Sequence, residues 1–163
     1  MIRFEEVSKD VVKLATDVQK EYFPDLIDIK IKYLFDTKKR GKGYKLVLGK
    51  CCRTSDLVRY FTTKEAEDAE GYPYVISLDK VAFKNMKETD RIRLLRHEQR
   101  HILVDWTAKQ PYKMYSHNVE DFIEEIELNL DDARWSFGIV KLVEGIYKQK
   151  ESKVSRRRGE HND

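Results

Sequence analysis

Long apolar runs are missing from this chain. No segment approaches the about 18 residues that a membrane-spanning helix requires, and Met1-Ile2-Arg3-Phe4-Glu5-Glu6 carries charges where a secretion signal needs an apolar stretch. The expected setting is the cytoplasm, with no membrane partner. Cysteine is almost absent: Cys51 and Cys52 are the only two. Neighbouring cysteines do not easily bridge to one another, so both are expected to be reduced strand residues rather than metal ligands. A surplus of one charge sign is also lacking, since 32 Lys and Arg against 29 Asp and Glu leave a formal charge of +3. Overall charge therefore does not demand a nucleic-acid partner; only a local cluster would. No repeat and no linker-like stretch divides the chain before its end. With 163 residues, 40% of them hydrophobic, one core and one domain over residues 1–150 are expected. A basic, disordered tail over 151–163 follows, containing Arg156-Arg157-Arg158, a candidate contact for nucleic acid.

What is present is His97-Glu98-Gln99-Arg100-His101. On a helix, residues four apart lie roughly 40° apart around the axis and about one turn along it, so both imidazoles reach one Zn²⁺. Glu98 lies about 100° round from His97 and points past the ion, where it can take a proton from activated water. The motif sits in a helical context. Thr89 or Asp90 can cap an N-terminus, and neither Gly nor Pro recurs before Pro111, which predicts a helix over about 90–108. Ile92, Leu95, Ile102, Leu103 and Trp106 form its apolar stripe, and His97, His101 and Asp105 lie on the opposite side.

A catalytic zinc ion usually has three protein ligands and one open position. The chain has four histidines, and of the two outside the motif His161 lies in the polar tail, so His117 is the first choice for the third ligand. It precedes Val119, Phe122, Ile123, Ile126 and Leu130, spaced as the inward face of a second amphipathic helix that Asn118 would cap. Glu120 or Glu124 is the alternative ligand. Asp105 is expected mainly to orient a ligand imidazole from outside. Arg93, Arg96 and Arg100 form a stripe beside the histidine face, suited to a substrate carboxylate or phosphate and otherwise a solvated helix face.

Elsewhere the pattern predicts an α+β fold: a helix over about 5–22, a strand at 27–33, a Lys- and Gly-rich turn at 36–43, a hairpin partner at 44–48, a third strand at 74–78 and a last helix over 133–148. Residues 53–70 are ambiguous. The inward side of the last helix is expected to be Trp135, Ile139, Leu142, Val143 and Ile146, with Gly138 and Gly145 allowing close packing.

Tyr74-Val75-Ile76-Ser77-Leu78-Asp79, Phe83, Leu94 to His101 and His117-Asn118-Val119-Glu120-Asp121-Phe122 together resemble the metallopeptidases of phages and prokaryotes. They are more distantly similar to SprT-like zincins. The resemblance covers about residues 70–127. It implies a zincin-like fold, a small three- or four-stranded sheet packed against the N-terminal helix and the H-E-x-x-H helix, with C-terminal helices. It further implies one Zn²⁺ on His97, His101 and His117, and Glu98 as general base. The chain departs from such enzymes at Gln99, where an apolar residue is common, and in a His117-to-Phe122 spacing one residue longer than in SprT-like proteins. A peptide substrate held along the strand before the motif helix, with Tyr112 or Tyr115 donating to the oxyanion, completes the expectation. Two other readings stand beside it. One is a nucleic-acid-binding module with a structural or vestigial metal site, using the arginine stripe and the basic tail. The other is a purely structural or interaction protein.

Overall fold

The computed structural model describes residues 2–41, 46–117 and 121–159, the side chains of 155–159 excepted. The fold is α+β. Helix α1 (Lys9–Tyr22) begins where the Ser8 hydroxyl accepts from the Val11 N–H, and Pro24 opens a 3-10 turn beyond its end. Ala15 and Val18 are its most deeply buried apolar residues. The helix starts four residues later than its periodicity suggests, because Phe4–Glu6 forms strand β1, antiparallel to β2 (Ile31–Asp36). All three β1 residues are exposed, so the strand has no inward apolar alternation to announce it.

The strand expected at 27–33 is displaced to β2. Leu26 and Ile29 are buried without joining a sheet, because the buried Gln19 amide donates to both of their carbonyls. A side chain thus satisfies backbone acceptors that a ladder would otherwise take. The expected hairpin partner at 44–48 is corrected as well: residues 44 and 45 lie outside the described residues, and the strand that follows, β3 (Gly49–Arg53), pairs with β4 (Tyr74–Asp79) rather than with β2. The sheet order is β1-β2-β4-β3, with β2 and β4 parallel and in register from Ile31↔Tyr74 to Asp36↔Asp79. Strand β4 is central, and Tyr74, Ile76 and Leu78 are fully buried. The ambiguous stretch becomes helix α2 (Asp56–Ala66), capped by the Ser55 hydroxyl.

The Asp79 carboxylate at the end of β4 caps the short helix α3 (Lys80–Asn85) and accepts from the Tyr147 hydroxyl at 2.8 Å. This ties the last helix, α6 (Trp135–Gly159), to the sheet. The buried positions of α6 are Ile139, Val143 and Tyr147, whereas Leu142 is half exposed. A Cβ at Gly138 or Gly145 would meet nothing within 4 Å, so these glycines serve no close packing. The helix runs on through residues 151–159, where the sequence reads as a tail; Lys, Glu, Gln and Arg are good helix formers even without an apolar face.

The largest correction concerns the motif helix, which spans Glu88–Arg100 (α4) and stops at His101. Ile102–Val104 is strand β5, paired with β6 (Tyr112–Met114). The Tyr74 hydroxyl lies 2.9 and 2.8 Å from the carbonyls of Leu103 and Lys113 and pins this hairpin to the core. Leu103 and Trp106, expected inward, are 42% and 68% exposed. Two apolar positions of a short strand happen to continue the helical spacing of Ile92 and Leu95, so periodicity alone cannot find the boundary.

One buried ion cluster yields a stability prediction. Asp36 has no exposed side-chain surface; Arg3 meets it with two hydrogen bonds at 3.0 and 2.9 Å, and Arg40 approaches to 2.8 Å. Burial alone would raise its pKa, but the Arg3 hydrogen bonds, the Lys38 N–H and the two guanidinium charges outweigh it and hold the carboxyl below its usual value. A depressed carboxylate stabilises the fold above its unfolded pKa of about 4 and loses that contribution as pH falls through the folded value. Asp36→Asn is therefore expected to lower the urea midpoint at pH 7, with a gap to wild type that narrows as pH falls below about 4. A gap unchanged by pH would refute the assignment.

Candidate metal centre

His97 stands in the last turn of α4 and His101 closes it, still in helical backbone (φ −68°, ψ −14°). His117 follows β6. The three imidazoles meet, with one ring nitrogen from each falling within 4.8 Å of the others. His97 Nε2 and His117 Nε2 are 3.1 Å apart. A tetrahedral zinc ion bonded at about 2.0–2.1 Å would set its nitrogens about 3.3 Å apart, so the cluster has the right dimensions.

The outward nitrogens are held too. His97 Nδ1 is 2.9 Å from Asp121 Oδ1, and His101 Nδ1 is 2.8 Å from the Tyr115 carbonyl. Each contact orients the ring and leaves Nε2 to face the cluster, as ligand histidines require. Burial alone would lower the pKa of His97; the Asp121 hydrogen bond and the charges of Glu98, Asp121 and Glu125 raise it overall. Burial, with His97 as a positive neighbour, lowers His101 and His117. Beneath the three rings lies Phe122, fully buried, with centroids 5.3, 4.9 and 4.7 Å from His97, His101 and His117.

Glu98 lines the same cavity of about 420 Å³ as the three histidines, together with Gly49, Cys51 and Tyr115. Its carboxyl is pushed up to about 7 by burial, against the opposing pull of His97, the Cys51 N–H and Arg40. Its seat depends on Gly49, because a Cβ there would stand 2.6 Å from Glu98 Oε1. Glycine inside a strand marks such close approaches. Gln99, in place of an apolar residue, is fully buried and donates to the Ala15 carbonyl and the Tyr33 hydroxyl, both at 2.8 Å. It cross-links α4 to α1 and β2.

Other expected participants lie elsewhere. Asp105 faces Lys113 and Thr107, which hold its carboxyl down at about 2, and it orients no histidine; Asp121 occupies that role instead. Glu120 and Asn118 lie outside the described residues. Glu124 is exposed on helix α5 (Ile123–Leu128), whose buried members are Glu125 and the adjoining Asn129 rather than Ile123, Ile126 or Leu130. Tyr112 packs edge-on against Tyr74, away from the cavity, whereas Tyr115 lines it and stacks on Phe122.

The arginine stripe is not free for a ligand. Arg93 pairs with Asp90 and Asp131, while Arg96 and Arg100 both meet Glu125. Strand β4 cannot lend its edge to a peptide, since β2 and β3 flank it; the edge beside the cavity belongs to β3. Asp121, Phe122, Gly49 and Glu125 were not singled out by sequence reasoning for these roles. The one legible hint was the short spacing from His117 to Asp121 and Phe122. Nothing in the local sequence ties Gly49 to Glu98.

No helix among the described residues is long and apolar enough to cross a membrane. Residues 2–149 match the family described as putative phage metallopeptidase. No curated protein and no solved structure matches the chain. With the match spanning most of its length, and three histidines close enough together to hold a metal ion, this chain belongs to the phage metallopeptidase family.

Proposed function

We propose that this protein is a zinc-dependent endopeptidase in which His97, His101 and His117 hold one Zn²⁺ and Glu98 is the general base. The convergence of three imidazole nitrogens within 4.8 Å, two of them backed by hydrogen bonds from their outer nitrogens, carries the reading. An all-imidazole donor set fits zinc and leaves one coordination position open. When bound, the ion supplies Lewis acidity, making water acidic near neutral pH and polarising a carbonyl. The protein's own groups do the rest.

Glu98, buried beside the histidines, accepts the proton of the attacking water and delivers it to the departing amine. Burial makes this carboxyl a better proton acceptor than an exposed glutamate, which suits a group that takes up and returns a proton. A protein substrate lies extended along β3, where the strand edge offers backbone hydrogen bonds and Gly49 keeps the floor open. Tyr115 is the donor placed to meet the oxyanion.

The alternative, a nucleic-acid-binding module, has lost its arginine stripe to ion pairs and rests on the basic C-terminal segment alone. Metal stoichiometry separates the readings. Purified protein is expected to hold one zinc ion per chain and to cleave a denatured protein pool, and His117→Ala to bind zinc weakly or not at all. Zinc retained in full by His117→Ala would remove His117 from the ligand set; zinc without turnover, together with salt-sensitive binding to a DNA duplex, would favour the module.

A further inference from the structure

Both motif histidines are preceded by an arginine: the run reads Arg96-His97 and Arg100-His101. The two guanidinium groups converge on one carboxylate. Arg96 Nε donates to Glu125 Oε2 at 2.7 Å and Arg100 Nε to Glu125 Oε1 at 2.9 Å, while Arg96 Nη2 donates to Asn129 Oδ1 at 2.7 Å. The Glu125 side chain is 1% exposed, and those of Arg96 and Arg100 are 5% and 18% exposed. The end of α1 covers the triad, with Tyr22 against the Arg96 guanidinium at 4.9 Å and Phe23 against that of Arg100 at 5.1 Å.

Desolvating three ions is costly, and an apolar trio of similar volume would commonly be at least as stable. The triad therefore needs a reason other than stability. Helix α5 supplies one. It is six residues long, and Ile123, Ile126 and Leu128 are each nearly half exposed, so beyond Phe122 at its start the helix has little apolar packing to fix its register on α4. Directed hydrogen bonds between a planar guanidinium and a carboxylate do fix register. Immediately before α5 stand Asp121, which meets His97 Nδ1, and Phe122, which underlies all three imidazoles.

We infer that Arg96, Arg100 and Glu125 are positioning residues of the metal centre: by locking α5 to α4 they bring Asp121 to His97 and Phe122 beneath the ligand rings. The inference rests on the zinc-site reading for its consequence, but its geometric half concerns the metal-free protein. The guanidinium groups touch neither substrate nor ion; they act through Asp121 and Phe122.

The decisive variant replaces the whole triad by apolar residues, Arg96→Met, Arg100→Met and Glu125→Leu together, leaving no unpaired buried charge. It is expected to unfold cooperatively near the wild-type temperature. In the metal-free state its His97 ring should show proton and nitrogen shifts of an imidazole without a carboxylate partner. By competition against a chromophoric chelator its zinc affinity should fall about 10–100-fold, the loss typical of removing a group that orients a ligand. A folded triple variant with wild-type His97 shifts and wild-type zinc affinity would overturn the proposal. Should the triple variant not fold, Glu125→Asp decides, since it keeps every charge but retracts the carboxylate by one methylene. Altered His97 shifts with at least tenfold weaker zinc binding support the clamp, and no change in either overturns it. A wild-type protein that binds no zinc would sink the metal reading, while the metal-free His97 shifts would still judge the clamp.

Discussion

Replacing Glu98 by Gln is expected to reduce turnover of a denatured protein substrate by about 10²–10⁴-fold, the range that a positioned general acid–base supplies, while the protein still binds its metal. The amide has the same shape as the carboxyl it replaces and retains an oxygen that can accept from the Cys51 N–H, which contacts Glu98 in the folded protein. What it lacks is a site for the proton of the attacking water. The measurement is paired: kcat on a peptide pool, and zinc content of the same preparation. Turnover near the wild-type value with full metal occupancy would show that Glu98 is not the base. Loss of the metal along with activity would show that Glu98 supports the ligands rather than the chemistry. The two outcomes assign its role without reference to any substrate of known sequence.

Gly49→Ala is expected to cost nearly as much by a different route. The added methyl would sit 2.6 Å from Glu98 Oε1 and 2.9 Å from both its Cδ and Cγ, well inside contact distance. Because Glu98 is buried, it cannot swing into solvent to relieve the clash, so its carboxylate must be displaced within the cavity. A displacement of about 1 Å in a catalytic group commonly costs about 10²-fold in rate. The atoms nearest the added methyl all belong to Glu98, so zinc affinity should stay within a few-fold of wild type. Overpacking should lower stability by about 1–3 kcal/mol. The combination of slow turnover, retained metal and modest destabilisation distinguishes displacement of the base from general misfolding. A wild-type kcat in Gly49→Ala would mean that the carboxylate acts from a position other than the one described.

The two predictions draw on different layers of legibility. Glu98 could be named from the linear motif, because the H-E-x-x-H spacing on one helical turn dictates which side chains share a side. Gly49 could not, since it belongs to a strand some fifty residues earlier and matters only because β3 runs beside the end of α4. The same division runs through the fold. Strand β4 and helix α1 announced themselves by unbroken local patterns, a buried apolar run and an i, i+3, i+4 stripe. The end of α4 did not: Ile102 continues the helical stripe by coincidence, and the β6 partner and the Tyr74 anchor that draw it into a strand arrive from other parts of the chain. Helix α5 misled in the opposite sense. Its apolar positions suggested an inward face, yet the side that turns in carries Glu125 and Asn129, which meet the buried arginines of α4 through hydrogen bonds that an apolar pattern does not reveal.

Local spacing was enough to pick out the candidate site and the fold class: two imidazoles and a carboxylate one helical turn apart, a third histidine down the chain, and an α+β arrangement around them. These follow from periodicities that each segment carries within itself. The partners that make such a set workable had to wait for the folded chain, namely Asp121 against His97, the Tyr115 carbonyl against His101, Phe122 under the rings and the absent side chain at Gly49. Apart from the short step from His117 to Phe122, each is a contact between residues distant in sequence, created by packing and by the need to satisfy buried polar groups, and no one-dimensional pattern encodes the distance at which two such segments will meet.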